Sequence, residues 1–127
     1  MVTKSITSAD LIQVLLGRED VGVDVRLSED FKSTYRDIRG YRSDARGVER
    51  SNLDSGENHS ALLHWDNVYS GCVDLMRSGG LDFELMAWLC EALLRKEGYL
   101  GLAIGFELIT AAINKFQMTI FPSLDED

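Results

Sequence analysis

Residues 82–98, DFELMAWLCEALLRKEG, decide the fold expected of this chain. Written on a helical wheel, this segment is apolar around most of its circumference, and Glu84, Glu91 and Arg95 form one narrow polar stripe with Trp88 beside it. A helix that is apolar on nearly every side is typical of the middle of a helical bundle. Gly98 is expected to end this central helix.

Helical patterns continue on both sides of the central segment. Residues 62–76 place their apolar side chains on one face, and residues 100–120 place Gly101 and Gly105 on the expected buried face. Two earlier helices are predicted, over residues 9–16 and from Ser28 through Arg50, while residues 21–27 suit an extended connection better than a lone strand. The sequence therefore predicts an all-α fold, a compact bundle of about five helices with a flexible loop near residues 51–60.

Composition and charge restrict the class of protein. The 127 residues are 45% hydrophobic and 27% charged, as in a globular domain, and the formal net charge is −8. Residues 51–127 hold four basic and twelve acidic side chains, so this half carries the whole imbalance. Such an acidic field repels phosphate backbones and anionic lipid, and no apolar run reaches about 18 residues. We expect a cytoplasmic domain that neither binds nucleic acid nor inserts into a membrane.

No known catalytic motif is present in the sequence. It lacks a phosphate-binding glycine loop, a dinucleotide fingerprint and a His-Glu-x-x-His pair, and His59, His64, Cys72 and Cys90 lack the spacing of zinc ligands. Both cysteines fall inside apolar helical patterns, which predicts buried free thiols. We therefore expect no enzyme, no metal and no cofactor, and treat a small-ligand or enzymatic domain as the minor alternative.

A row of arginines is the main functional lead. Arg36, Arg39, Arg46 and Arg50 project to one sector of the second helix with Lys32, and Arg42 lies at the edge of that sector. This pattern fits a solvated or internally paired face, or a docking strip for an acidic partner. The candidate docking residues are Arg36, Arg39, Arg46, Arg50 and Trp88, the last beside an expected apolar groove. Glu91 and Arg95 either support one helix from its surface or meet Arg46, Glu49 or Arg50 across the bundle.

Several motifs resemble the ImpA-related N-terminal domain of TssA-like proteins of the bacterial type VI secretion system. The resemblance rests on residues 85–98, Gly101-Leu102, Gly105-Phe106, Pro122 and the acidic residues 125–127. Upstream, it extends to Ala45, Arg46, Glu49 and Arg50, to Trp65 with Val68, and to Gly22, Asp24 and Arg26. The chain departs from the family pattern at residues 116–118, where Gln117 replaces the usual Trp, and at Leu81, which replaces a Lys.

The resemblance implies a non-enzymatic role in organising the baseplate and the sheath and tube. It implies structural roles for Ala45, Glu49, Trp65, Glu91, Arg95, Gly98, Gly101, Gly105 and Pro122. The implied partners are baseplate, sheath or tube proteins and copies of the chain itself. Residues 1–127 then form one domain, a fragment of a longer protein without its C-terminal oligomerisation region. A self-association module of a related sheath-terminating accessory protein is the alternative.

Overall fold

The computed structural model describes residues 8–52 and 59–122, and these form an all-α structure. The four α-helices are α1 (Ser8–Leu16), α2 (Lys32–Ser51), α3 (His59–Ser78) and α4 (Phe83–Phe116), followed by a short 3-10 turn at Gln117–Thr119. Two isolated β-bridges, Gly22–Gly80 and Asp82–Phe121, are the extended pairings recorded in this part of the chain. The all-α prediction is confirmed. Of the predicted loop, residues 53–58 lie outside the described residues.

Four α-helical elements are present where about five helices were expected, because α4 unites the two helices that the sequence predicts before and after Gly98. Gly98 interrupts this element with φ 69° and ψ −151°, which is not helical backbone. A Cβ atom at Gly105 would lie 2.5 Å from Cys90 Sγ, although these residues would be about 22 Å apart in a straight helix. The chain therefore reverses at Gly98, and the second half of α4 packs back on the first.

The core lies between the first half of α4 and its neighbours. Its fully buried side chains include Trp65 and Cys72 from α3 and Leu85, Met86 and Leu89 from α4. Helix α2 packs on α3 with Ile38 and Ala45 buried, and a Cβ at Gly71 would meet Ile38 Cγ1 at 2.7 Å. Helix α1 covers the end of α4, where Lys115 Nζ donates to the Leu16 carbonyl at 2.5 Å. Pro122 is exposed and follows a cis peptide bond.

Helix α2 begins at Lys32, four residues later than the Ser28 start that the sequence suggested. The Asp24 carbonyl accepts from the Leu27 and Ser28 amides, and the Ser28 carbonyl accepts from the Phe31 and Lys32 amides. Regular helical backbone begins only after Phe31, whose φ of −122° and ψ of −14° are not those of an α-helix. The predicted extended connection over residues 21–27 is confirmed at its start, where Gly22 bridges to Gly80.

By length and composition alone, one helix of the described chain, α4, could cross a membrane. Its most apolar 18-residue window has a mean hydropathy of 1.2, and 22% of that window is buried. Apolar helices of soluble proteins meet the same criterion. The low buried fraction shows that part of α4 keeps apolar side chains at the surface.

Candidate interaction site

Two arginines of α2, Arg42 and Arg46, form ion pairs with Glu91 on α4. Arg42 donates to both carboxylate oxygens of Glu91, Nε at 2.6 Å and Nη2 at 3.1 Å, while Arg46 Nη1 reaches the same carboxylate at 3.4 Å. Arg42 also lies over the Trp88 ring, with 5.9 Å between its guanidinium carbon and the ring centroid. Since α2 and α4 are far apart in sequence, this carboxylate fixes their relative position.

Glu49 forms a second junction, between α2, α3 and α4. It accepts two hydrogen bonds from Arg95, from Nε at 3.0 Å and Nη2 at 3.1 Å, and a third from Trp65 Nε1 at 3.0 Å. The Arg95 guanidinium stacks over the Trp65 ring at 4.4 Å. Burial acts to raise the pKa of Glu49, but the hydrogen bonds from Arg95 and Trp65 outweigh it, and the pKa is lowered. Glu49 is therefore held ionised as a structural anion.

Arg26 joins the connection before α2 to the start of α4. Its guanidinium pairs with both oxygens of Asp82 and donates to Glu84 at 2.7 Å. Asp82 is fully buried and caps α4 by accepting from the Leu85 amide at 3.0 Å. Tyr35 also donates to Glu84, at 2.5 Å, and Arg26 lies over the Tyr35 ring. This cluster orients the N-terminus of α4 against α2.

The remaining arginines of α2 point outward. Arg36, Arg39 and Arg50 are exposed, and none forms an ion pair or hydrogen bond with another described residue. A groove of about 350 Å³ runs along this part of α2, lined by Arg39, Arg42, Ser43, Arg46 and Arg50. We call Arg36 and these five lining residues the arginine face. Among the described residues no acidic side chain lines the groove, so its lining offers positive charge and the Ser43 hydroxyl to a ligand.

The structure sorts the sequence-predicted docking residues into two groups. Arg36, Arg39 and Arg50 are free at the surface, whereas Arg46 shares Glu91 and keeps 41% of its side chain exposed. Trp88 is only 7% exposed, because Tyr35 stacks on it with 5.7 Å between ring centroids. Trp88 therefore forms the floor beneath α2 rather than an open groove.

Sequence reasoning missed two contributors to this site. Arg42 was placed at the edge of the basic sector, yet it makes the strongest contact with Glu91 and lines the groove. Arg26 was noted only as part of a family motif, and its partner Asp82 is distant in sequence. The signal for these ion pairs was the polar stripe of Glu84, Glu91 and Arg95 on the otherwise apolar α4. A carboxylate that is partly removed from water requires a hydrogen-bond or ion-pair partner.

Most of the residues that the family resemblance marks as structural occupy packed or paired positions, whereas Gly98 and Pro122 are exposed. Ala45 and Trp65 are buried in the core, and Gly101 and Gly105 are buried where α4 folds back on itself. A Cβ at Gly101 would lie 2.2 Å from the Leu93 carbonyl oxygen, so the two halves of α4 approach closely there. Gln117, the departure from the family pattern, is exposed and ends α4 with φ 54°.

Both cysteine thiols are free and buried, as the sequence predicted. Burial raises the pKa of Cys90 to about 11, and it raises the pKa of Cys72 further. Such thiols stay protonated near neutral pH and are poor nucleophiles. In the part of the chain that the structure describes, no three His, Cys, Asp or Glu side chains cluster closely enough to hold a metal ion.

Comparison with known proteins gives one result on which the identity rests. A family model described as "ImpA, N-terminal, type VI secretion system" matches residues 13–127. A search of curated proteins and a search of solved structures each found no significant match. Because the matched region covers α2, α3, α4 and the last four residues of α1, the chain belongs to the ImpA N-terminal family of the type VI secretion system.

Proposed function

We propose that this domain is a non-catalytic assembly module of a TssA-like type VI secretion component. In this proposal it acts in the cytoplasm as one domain of a longer protein and helps to organise the baseplate and the sheath and tube. Its partner would be another secretion component that offers an acidic surface to the arginine face. Family membership supports the setting, and the arginine face supports the mode of binding.

The observation that carries the proposal is the contrast between the arginine face and the rest of the chain. The chain has a net charge of −8, yet Arg36, Arg39 and Arg50 extend from one helix without an ion pair or hydrogen bond to another described residue, and Arg39 interacts with the Glu84 carboxylate only at longer range. Three other arginines, Arg26, Arg42 and Arg95, form ion pairs within the protein. A solvated face alone therefore does not explain why the outer arginines form no such pair. Complementary charge across an interface sets orientation and raises the association rate.

The rigidity of the face favours docking by preformed geometry. Arg42 and Arg46 are held by Glu91, which is itself on α4, so α2 cannot rotate without breaking these contacts. A preorganised charged surface loses less conformational entropy on binding than a mobile one. Glu91 on α4 therefore helps to hold in place the helix, α2, that carries the outer arginines.

Charge reversal at the outer arginines tests the proposal. Arg39→Glu and Arg50→Glu should each weaken pull-down of baseplate, sheath or tube components, and raised salt should weaken binding of the unaltered chain. Each exposed ion pair contributes up to about 1 kcal/mol, or roughly fivefold in affinity, so the double variant should lose more than tenfold.

Arg77→Glu is the matched control, because Arg77 is exposed on α3 and the charge change is the same. Thermal unfolding of all variants should stay close to that of the unaltered chain. Undiminished binding by the double variant, or an equal loss in Arg77→Glu, would remove the arginine face as the interface.

A further inference from the structure

We propose that the second half of α4 carries a self-association surface, on which a second copy of this chain packs antiparallel. The surface consists of Tyr99, Leu102, Phe106, Ile109 and Ile113, named here the apolar stripe. It is separate from the arginine face, which lies on α2, and the proposal does not depend on the function proposed above.

The apolar stripe is exposed although its chemistry is that of a core. Tyr99 is 86% exposed, Phe106 57% and Ile113 42%, while Leu102 and Ile109 are half-buried between them. The adjacent side of this half-helix, about 100° around its axis, already packs on the protein through Gly101, Gly105, Leu108 and Ala112. The half-helix is therefore apolar on two sides, and the fold covers one of them.

The spacing of the stripe fits a helical partner. Its members recur three and four residues apart along the helix. This is the repeat with which one helix buries side chains between those of another at a small crossing angle. A stripe of this kind is long and narrow, so a second helix covers it better than a loop or a flat sheet does.

The exposed area suits a small dimer interface. Aromatic side chains bury about 150–250 Å² each when fully covered, so Tyr99 and Phe106 together leave roughly 300 Å² of surface, and the other members bring the stripe to roughly 400 Å². This is within the roughly 300–600 Å² of the largest apolar patch on a typical monomer, a patch that is often functional. Two copies would bury roughly 800 Å² in total, which is below the roughly 1,200 Å² of stable interfaces and fits a weak, transient one, so we expect a dissociation constant on the order of 10–100 µM.

The charge distribution favours a second copy over other occupants. Residues 98–116 hold one acidic and one basic side chain, Glu107 and Lys115, so this segment is neutral within a chain of net charge −8. Two identical acidic chains can therefore meet here without bringing like charges together. A helix that binds an anionic membrane carries flanking cations, whereas the single lysine here is engaged with the Leu16 carbonyl.

The stripe is also complementary to itself. Phe106 lies midway between Tyr99 and Ile113 in the sequence. In a twofold antiparallel pair centred on Phe106, the Phe106 rings meet at the axis, and each Tyr99 ring lies against Ile113 of the other copy. A twofold interface requires this reciprocity, in which the same two residues face each other twice.

Sedimentation equilibrium of the chain from 1 to 300 µM tests the proposal. The mass should rise from 14.2 kDa towards twice that value. Phe106→Glu should weaken association at least tenfold, and so should Tyr99→Glu, whose parent side chain is almost wholly exposed and not needed for folding. Leu27→Glu is the control, because Leu27 is 77% exposed and lies outside the stripe.

Cross-linking tests the register of the pair. Phe106→Cys should form a disulfide-linked dimer on mild oxidation, because the two copies of this position meet at the axis, whereas Leu27→Cys should not. The native thiols are buried and do not compete. A mass that stays at 14.2 kDa throughout overturns the proposal, as does association that Phe106→Glu and Tyr99→Glu leave intact, or a monomer whose stripe instead binds uncharged phosphatidylcholine vesicles.

Discussion

Substitution of Gly98 tests the reversal of α4, on which the position of the apolar stripe depends. With φ 69° and ψ −151°, Gly98 lies in a backbone region that is essentially restricted to glycine, and no heavy atom lies within 4 Å of the Cβ position. Gly98→Ala therefore introduces backbone strain without a steric clash. The strain costs about 1–3 kcal/mol, and the lower entropy of the unfolded alanine chain offsets up to about 1 kcal/mol.

The net destabilisation should be about 1–2 kcal/mol. For a domain of this size that corresponds to a fall in melting temperature of roughly 4–8 °C. Thermal unfolding followed by circular dichroism at 222 nm, with urea unfolding at 25 °C as a second measure, gives both quantities.

Gly40→Ala and Gly47→Ala are the matched controls for Gly98→Ala. Both glycines lie inside α2, and a Cβ atom at either position meets nothing within 4 Å. Alanine is favoured over glycine in a helix interior by about 1 kcal/mol, so these variants should be more stable than the unaltered chain. If Gly98→Ala were stabilised like the controls, the backbone at Gly98 would be helical and the reversal of α4 would be wrong.

Three further predictions concern the polar junctions and the packing of α4. The pKa of Glu49 is lowered in the folded state, so the ionised carboxylate stabilises the fold above its unfolded pKa, and this stabilisation is lost as pH falls through its folded pKa. The difference in free energy of unfolding between the unaltered chain and Glu49→Gln, measured by urea unfolding, should therefore shrink below about pH 4. Asp82→Ala removes the cap of α4 and the buried carboxylate partner of Arg26, which keeps Glu84, so it should cost at least about 2 kcal/mol, whereas Asp82→Asn keeps the cap and should cost less. Gly105→Ala crowds Cys90 and should lower the free energy of unfolding. In a double-mutant cycle, Cys90→Ala in the same chain should recover part of that free energy, whereas additive effects of the two substitutions would refute the contact.

Much of the helical architecture could be predicted from local pattern. The one-sided face around Trp65 predicted α3, and the nearly all-apolar segment around Leu89 predicted a central helix, because the helical repeat relates residues three and four apart directly. The end of α2 also follows from its sequence. Its start does not, since carbonyls at Asp24 and Ser28 close turns that local propensity at Ser28 did not reveal.

The candidate site was predictable only in part. The sequence placed the arginines of α2 in one sector, and it identified Glu91 and Glu49 as possible partners across the bundle. It could not decide which arginines are paired, because each pairing depends on how α2 rotates against α4. The rotation of α2 places Arg42 nearest Glu91, and it leaves Arg39 without an ion pair to another described residue.

By itself, the sequence determined the class of fold, the absence of a recognised catalytic motif and the family resemblance, since these depend on residue type and on spacing within a helix. Only the tertiary structure decided that Trp88 is covered by Tyr35, that the outer arginines form no ion pair with another described residue and that the apolar stripe around Phe106 is exposed. The physical reason is that exposure and pairing are set by contacts between segments distant in sequence. A helical repeat shows which side chains share a face, but not what that face meets.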